Sequence, residues 1–429
     1  MMHVLLLGSG GREHAFAQKI SESKRPHRLF IMPGNAGTEL HGTNVPGNPS
    51  DAGQVLQIIR EKNIQMVVCG PEDPLVKGLK NIILSEPDMK NIIFIGPSRE
   101  AAQLEGSKIF SKHFMKKYHI PTARFLEVSE NNLNEGFAFL ETLSPPYVIK
   151  ADGLAAGKGV VIHAALSDAK KELEAFILHN KMGASGKKVV LEEYLHGIEC
   201  SCFVFTDGQH YQILPFAKDY KRIGEGDTGP NTGGMGSVSP VPFVDDAFIR
   251  KTEQSIILPT LQGMQQEGIP YEGFLFIGLM NVNGNPYVIE YNCRMGDPET
   301  QSVFTRLNMD FIDWFMAYHE KKLHETTLSV KDECCVTIVL ASKGYPDVFE
   351  KNKRITLPDH VPGHIRIFCA GVRKENGNWF SNGGRVLAIS AMNPDPIRAL
   401  EEANTYAELV QFENKYFRKD IGKDLFGSL

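Results

Sequence analysis

In the first hundred residues, short apolar runs alternate with helix-patterned stretches, and this constrains the fold more than any other feature of the chain. The runs are His3-Val4-Leu5-Leu6-Leu7, Leu29-Phe30-Ile31, Met66-Val67-Val68-Cys69 and Ile92-Ile93-Phe94-Ile95. Between them, Arg12 to Ser21 puts Phe16 and Ile20 on one helical face, and Val55 to Glu61 and Leu75 to Leu84 read as further helices. Continuously apolar strands need cover on both faces, which predicts a parallel sheet between helices. Ligands of such sheets bind beyond the carboxyl ends of the strands. Those ends carry Gly8-Ser9-Gly10-Gly11-Arg12-Glu13-His14, Pro33-Gly34-Asn35-Ala36-Gly37-Thr38, Gly70-Pro71-Glu72 and Gly96-Pro97-Ser98.

The cluster at Gly8 invites a dinucleotide reading, and the detail opposes it. Glu13 stands where a third glycine is needed, and Met32 and Pro33 follow the second strand where a ribose-binding acid belongs. Two readings stay open: a cradle for a small phosphorylated substrate at a helix N-terminus, or a tight turn without a ligand.

At 429 residues the chain exceeds one core, which predicts about two to four domains. A net charge of −5 gives no basic footprint for nucleic acid. No apolar run reaches a membrane span, and Met1 to Gly8 reads as a strand rather than a signal peptide. Cys69, Cys202, Cys334, Cys335 and Cys369 lie in apolar runs, as small buried hydrophobes of a reducing compartment do. Cys200 and Cys202 give only a weak metal reading, since no ligand pair recurs nearby. A cytoplasmic monomer is expected.

Further along, Arg99 to Tyr118 reads as one long helix. After Ser144-Pro145-Pro146 comes a strand-rich module: strands at Tyr147–Lys150 and Val160–Ile162, then a helix from Ser167 to His179. Val189 to Leu195 and Ile198 to Phe205 are expected to pair, and residues 220–240 to form a long functional loop. Strands at Cys334–Ala341, Ile365–Cys369 and Val386–Ile389 and a helix from Pro396 to Leu409 suggest a closing α+β domain. The predicted division is 1–105, 106–325 with a lid at about 121–193, and 326–429.

Function is most legible at Glu290-Tyr291-Asn292-Cys293-Arg294-Met295-Gly296-Asp297-Pro298-Glu299, after the apolar Tyr287-Val288-Ile289. Residues two apart on a strand share a face. Glu290 and Asn292 thus present two hard oxygen ligands for a Mg²⁺ also held by phosphates, and Arg294 is read as continuing that face with a fixed positive fork. Asp297-Pro298-Glu299 reads as a helix start, with Asp297 at the N-cap and Pro298 first. Lys150 faces a glycine loop holding Gly153, Gly157, Lys158 and Gly159. Only three residues separate Gly153 from Gly157, and Gly159 replaces the hydroxyl residue, so this is a phosphate-covering loop and not a P-loop. Glu192, the Leu195 backbone and Glu199 have the spacing to read adenine and ribose; taken alone, a solvated strand and turn is the better account of them.

Taken in order, these segments resemble ATP-grasp ligases of the phosphoribosylamine–glycine ligase family. The resemblance runs through Gly-Gly-Arg-Glu-His at 10–14, Pro-Gly-Asn-Ala-Gly-Thr at 33–38, Gly-Pro-Glu at 70–72 and Leu-Glu-Gly-Ser-Lys at 104–108. It continues through 150–159, Asp-Thr-Gly-Pro-Asn-Thr-Gly-Gly-Met-Gly at 227–236, the acidic motif and Asn-Gly-Gly-Arg-Val at 382–386. Met295 departs from the family's usual Phe or Leu, an apolar swap.

The resemblance implies an N-terminal substrate-binding α/β domain, an ATP-grasp module and a small C-terminal α+β domain. It implies ATP with Mg²⁺ or Mn²⁺, and glycine and 5-phosphoribosylamine as substrates. Lys108, Lys150, Gly157, Lys158, Gly159, Glu192, Leu195 and Glu199 would hold the nucleotide, Glu290 and Asn292 the metal, and Arg294, Lys150 and Asp297 would act in catalysis. Gly10, Gly11, Arg12 and Glu13, with Asn231, Thr232, Gly233 and Gly234, would take the ribose phosphate. Asp219, Arg294 and Asp297 would hold glycine. The loop from Ala151 to Gly159 would close over ATP. The alternatives are another ATP-grasp enzyme, such as a purine-pathway carboxylase, and a dinucleotide-dependent oxidoreductase or ligand-binding module.

Overall fold

Alternate side chains of one central strand feed two different cores, and that divides the N-terminal third of the molecule. The structure is a computed structural model describing residues 1–153, 159–179, 181 and 187–427. In Met2–Gly8, Leu5 and Leu7 join one apolar cluster with Val55, Ile59 and Ile83, whereas Val4 and Leu6 join another with Ala15, Phe16 and Ile20. Met66–Cys69 splits the same way, Val67 with the first cluster and Val68 with the second. Each such buried side chain contributes about 1.5–3 kcal/mol. The sheet is wholly parallel, in the order Thr43–Asn44, His27–Pro33, Met2–Gly8, Met66–Cys69, Ile93–Ile95. Its order reverses between Met2–Gly8 and Met66–Cys69, the usual place for a ligand crevice. The expected α/β sheet with helices on both faces is present.

Neither cluster stops at the N-terminal third. The first takes in Phe114, Tyr271, Ile277, Val288 and Tyr291, and the second Phe274, Phe304, Phe311 and Trp314. A four-stranded antiparallel sheet, Tyr211–Ile213, Ile198–Thr206, Gly273–Val282, Asn285–Asn292, therefore packs on the parallel one. Another antiparallel sheet, Phe125–Ser129, Lys188–Glu193, Tyr147–Ala151, Val160–His163, has its own core with Leu140, Leu173 and Phe176 from two covering helices. A five-stranded sheet combines Lys218–Asp219 and Gly236–Ser239 with Cys334–Ala341, Arg385–Asn393 and Ile365–Cys369. The C-terminal part thus shares a sheet with strands that precede it by about a hundred residues.

Five local expectations are corrected. The stretch 75–84 forms two helices, Glu72–Val76 and Leu79–Ser85, parted by Gly78 at φ 83°. Residues 99–118 are also broken: extended Ser107 caps Lys108–Lys117, its Oγ accepting the Phe110 amide at 3.1 Å. Lys188–Glu193 and Ile198–Thr206 do not pair, because each uses both its edges within a different sheet. Residues 220–240 include a hairpin, Arg222–Gly224 with Thr228–Asn231, and the strand Gly236–Ser239. Finally, the helix after the acidic motif starts at Glu299 with Pro298 as its N-cap, since the Asp297 carboxylate is engaged elsewhere. All seven cysteines are buried and free. Among the described residues no helix is long and apolar enough to cross a membrane.

Candidate active site

A bulge aims the strand that carries Glu290 and Asn292. In the pairing with Gly273–Val282, Glu290 faces Gly278 and Val288 faces Leu279, which leaves Ile289 without a partner. Val288 and Tyr291, an odd number apart, consequently reach the same core, and Glu290 and Asn292 take the other side. Burial would raise the Glu290 carboxyl pKa, but Lys221, Lys150, Lys108 and Arg294 together hold it below the ordinary range. Glu290 has no hydrogen-bond partner among the described residues. The buried amide of Asn292 leaves Nδ2 without a partner; amide N and O exchange by a half-turn. No group of three His, Cys, Asp or Glu suited to a metal occurs among the described residues. Two oxygen ligands beside four cations fit a divalent ion that completes its shell with phosphate oxygens.

The nucleotide candidates gather beside this strand. Glu192 is 3% exposed, and its Oε2 accepts from Lys112 Nζ at 2.9 Å and Lys150 Nζ at 3.0 Å. Oε1 is buried with no partner, an acceptor of the kind an exocyclic amine would satisfy. Lys150 Nζ also approaches the Ile289 carbonyl at 3.4 Å, so it bridges Glu192 and the strand of Glu290 and Asn292. Lys108 Nζ donates to the Gly153 carbonyl at 3.0 Å, and burial lowers its pKa. Leu195 lies in the segment joining two sheets. The Glu199 carboxylate accepts from Lys221 Nζ at 2.7 Å. Gly157 and Lys158 lie outside the described residues; the Gly159 carbonyl accepts the Ala151 amide at 2.8 Å.

A second group forms around Asp297. A Cβ on Gly10 would come within 3.4 Å of Asp297 Oδ2, and one on Gly11 within 2.5 Å of Gln301 Nε2. Gly234 packs as tightly on Pro298, and the Gly233 carbonyl is bound by Arg385 Nη1 at 2.6 Å. Thr232 donates from its amide and its hydroxyl to the Lys221 carbonyl, linking this group to the first. Asn231 is exposed at the hairpin end. Asp297 is thereby placed against the glycine loops.

Arg294 does not extend the strand face. The strand ends at Asn292, and Arg294 is held by Glu72 (Nε, 3.2 Å) and Glu105 (Nη2, 3.3 Å). Two carboxylates therefore compete for its fork. Burial opposes the charge of Glu72, yet Arg294 and Arg12 bring its pKa down to about 2.

The expected crevice of the parallel sheet is filled by the protein itself. Glu13 packs against Gly8 and Gly70, its Oε2 accepts the Gly10 amide at 2.6 Å, and its Oε1 accepts from Arg12 Nε at 2.7 Å. Arg12 Nη1 donates to the Met295 carbonyl at 3.1 Å. Glu13 is thus a capping group, and the amide surface there is smaller than the sequence suggested.

The family models for phosphoribosylglycinamide synthetase match this chain along nearly all of its length: N domain at residues 2–105, ATP-grasp (A) domain at 106–300 and C domain at 335–424. The chain belongs to the phosphoribosylglycinamide synthetase family. A phosphoribosylamine–glycine ligase of Clostridium acetobutylicum is 43% identical over 424 residues, covering 98% of this chain and 100% of the relative. The crystal structure of a phosphoribosylamine–glycine ligase from Thermotoga maritima superposes with a TM-score of 0.85 at 39% identity, covering 98% and 100% of the two chains. A biotin carboxylase from Campylobacter jejuni, at 14% identity, shares the fold alone (TM-score 0.75, covering 97% and 93%). The resemblance drawn from sequence motifs and the three-part fold are both borne out, and the oxidoreductase alternative falls.

An ATP-grasp member of this family uses ATP and a divalent metal. The fold brings three cations that sequence reading passed over against the candidate site residues. Lys112 lies one helical turn from Lys108, a spacing that puts both cations on one face. Lys221, partly exposed, is set among Glu199, Asp219 and Glu290; desolvation opposes its charge, but these carboxylates raise its pKa; it follows Asp219 by two residues. Arg385 belongs to the Asn-Gly-Gly-Arg-Val segment already noted, but only folding reveals its partners. Glu299 also matters electrostatically: burial and the neighbouring Asp219 charge raise its carboxyl to about 7. Asp219 is itself raised, by burial first and then by Glu199 and Glu290, against Lys221 and Lys218.

Proposed function

We propose that this chain joins glycine to 5-phosphoribosylamine with ATP, giving glycinamide ribonucleotide, ADP and phosphate in de novo purine synthesis. One observation carries the reading: Lys150 Nζ joins Glu192, whose Oε1 is open, to the strand of Glu290 and Asn292, where Lys221, Lys150, Lys108 and Arg294 act on the Glu290 carboxylate, in a chain matched by all three family segments.

The glycine carboxylate is unreactive toward amines until one oxygen is phosphorylated. A carboxylate oxygen bonds to the γ-phosphorus as the β,γ-bridging oxygen–phosphorus bond breaks, and ADP departs. The phosphoribosylamine nitrogen then bonds to the acyl carbon, the carbon–oxygen bond to phosphate breaks, and the nitrogen loses a proton. The protein's task is positioning and charge neutralisation. Lys108, Lys150 and Lys221 bring positive charge, Glu192 and Leu195 meet the base, and Glu199 meets the ribose. Glu290 and Asn292 would hold Mg²⁺ or Mn²⁺, which would neutralise phosphate charge when bound.

Asp219, with Glu299 behind it, is assigned to the glycine ammonium. Gly10, Gly11, Arg12, Asp297 and the 231–234 loop are assigned to the ribose phosphate, with Glu13 supporting Arg12. We place the enzyme in the cytoplasm as a monomer. The test is coupled ADP release with glycine, phosphoribosylamine and Mg²⁺, omitting each in turn. Release should need all three; bicarbonate replacing glycine would favour the carboxylase reading instead.

A further inference from the structure

Lys112 is a buried cation that the reaction does not explain. The residue is 2% exposed in the middle of the helix Lys108–Lys117, and Nζ has two partners. One is Glu192 Oε2 at 2.9 Å; the other is Thr122 Oγ1 at 2.7 Å. Thr122 in turn donates to the Val288 carbonyl at 2.7 Å, two residues before Glu290 on the metal-binding strand. The Phe125 ring covers the ammonium at 5.9 Å. A buried ammonium with only these partners is costly to keep, so its geometry calls for a use.

Glu192 shows the use. Both lysines bind the same carboxylate oxygen, Oε2, and leave Oε1 buried and open. Lys150 has competing partners, the Ile289 carbonyl and the Glu290 charge, and nucleotide phosphates would draw it further. Lys112 has no such rival among the described residues. It remains on Oε2 when Lys150 turns to phosphate, and it fixes the carboxylate plane through Thr122.

We propose that Lys112 is a specificity-determining positioning residue, which locks Glu192 so that Oε1 accepts a hydrogen bond from the exocyclic amine of adenine and turns away bases with an acceptor there. The inference rests on the assignment of Glu192 to the base. A carboxylate free to rotate would present either oxygen, re-pair with Lys150 and lose its discrimination. Adenine carries a donor where guanine carries a carbonyl oxygen, so a fixed acceptor separates them by a hydrogen bond made against a repulsion. Burial and Lys150 lower the Lys112 pKa to about 8, opposed by Glu192, so the lock is also pH-sensitive.

The experiment measures kcat and KM for ATP and GTP in the full chain with K112M, K112R, T122V and E192Q, after thermal melting shows each folded. K112M should raise KM for ATP about tenfold, the scale of a lost charge-assisted hydrogen bond, with kcat within about threefold and GTP use unchanged. K112R should restore most of the ATP preference, and T122V should show a smaller loss in the same direction. If K112M does not fold, K112R and T122V carry the test. E192Q with relaxed base selectivity but K112M with parental selectivity would overturn the role of Lys112 and leave Glu192 standing. Unchanged selectivity in E192Q would remove both.

Discussion

Arg385 and Asp297 meet across a sequence separation of 88 residues: Nη2 donates to Asp297 Oδ2 at 2.8 Å, and Nη1 to the Asp297 carbonyl at 2.7 Å. The same Nη1 donates to the Gly233 carbonyl, whose residue's amide donates to the Tyr345 hydroxyl at 2.8 Å. The C-terminal part therefore grips the glycine-rich loop on both sides and sets it against Asp297.

Removing that grip should act on one substrate. Arg385→Ala loses charge-assisted hydrogen bonds to a carboxylate and two carbonyls, each worth about 1.5–3 kcal/mol. KM for phosphoribosylamine is expected to rise about tenfold or more, with KM for ATP changed less than about twofold. Steady-state kinetics with each substrate varied decides this; equal effects on both would mean the loop serves the nucleotide.

Glu290→Gln keeps the shape of the side chain and removes the charge that four cations surround. Turnover should fall at least about a hundredfold, the scale of losing a key electrostatic group, at an unchanged melting temperature. Near-normal turnover at saturating Mg²⁺ would refute the metal assignment.

Glu199→Ala should raise KM for ATP while sparing glycine and phosphoribosylamine. It also frees Lys221, whose only hydrogen-bonded acid is Glu199 at 2.7 Å among the described residues. Nucleotide titration by calorimetry separates the two effects: weaker ADP binding supports ribose contact, whereas unchanged ADP binding with lower turnover assigns Glu199 to holding Lys221.

Arg12→Ala should weaken phosphoribosylamine use more than glycine use. It should also lower the melting temperature, because it strips a 2.7 Å ion pair from Glu13, itself 3% exposed. Arg12→Lys restores charge but not the fork, so stability should recover further than KM. Greater damage to glycine use would mean the pockets are exchanged.

Glu299 makes stability depend on pH. Its carboxyl holds a proton up to about 7 in the folded chain, while an unfolded glutamate releases it near about 4.3. Between those values the native state binds more protons, so stability falls as pH rises and levels off above about 7. The slope belongs to the coupled pair with Asp219. Urea midpoints of the metal-free protein at pH 5 and pH 8 should differ, and Glu299→Gln should reduce the difference. An equal difference in the variant would assign the slope to other groups.

The sequence by itself determined the elements whose cause is local. Continuous apolar runs gave the parallel strands, because Val4–Gly8 and Met66–Cys69 are buried whichever face a residue points to. Pro396 and the Asp395 side chain, which accepts the Ile397 amide at 2.9 Å, start the helix Pro396–Leu409 where it was expected. The spacing of Glu290 and Asn292 survived folding because a strand keeps its period of two. Motif order was enough to place the chain in its family.

Tertiary structure decided whatever depends on partners distant in the chain. Arg294 looked like a free fork until Glu72 and Glu105 closed on it. Glu13 looked like part of an anion cradle until it filled the gap between Gly8 and Gly70. Lys188–Glu193 and Ile198–Thr206, four residues apart, looked like a hairpin and belong to different sheets. Lys112, Lys221 and Arg385 are ordinary cations in one dimension. They become candidates for the site only where folding sets them against Glu192, Glu199 and Asp297, and for Lys112 with Glu192, the fully buried pair of the three, burial makes an unpaired charge costly and so makes the pairing specific.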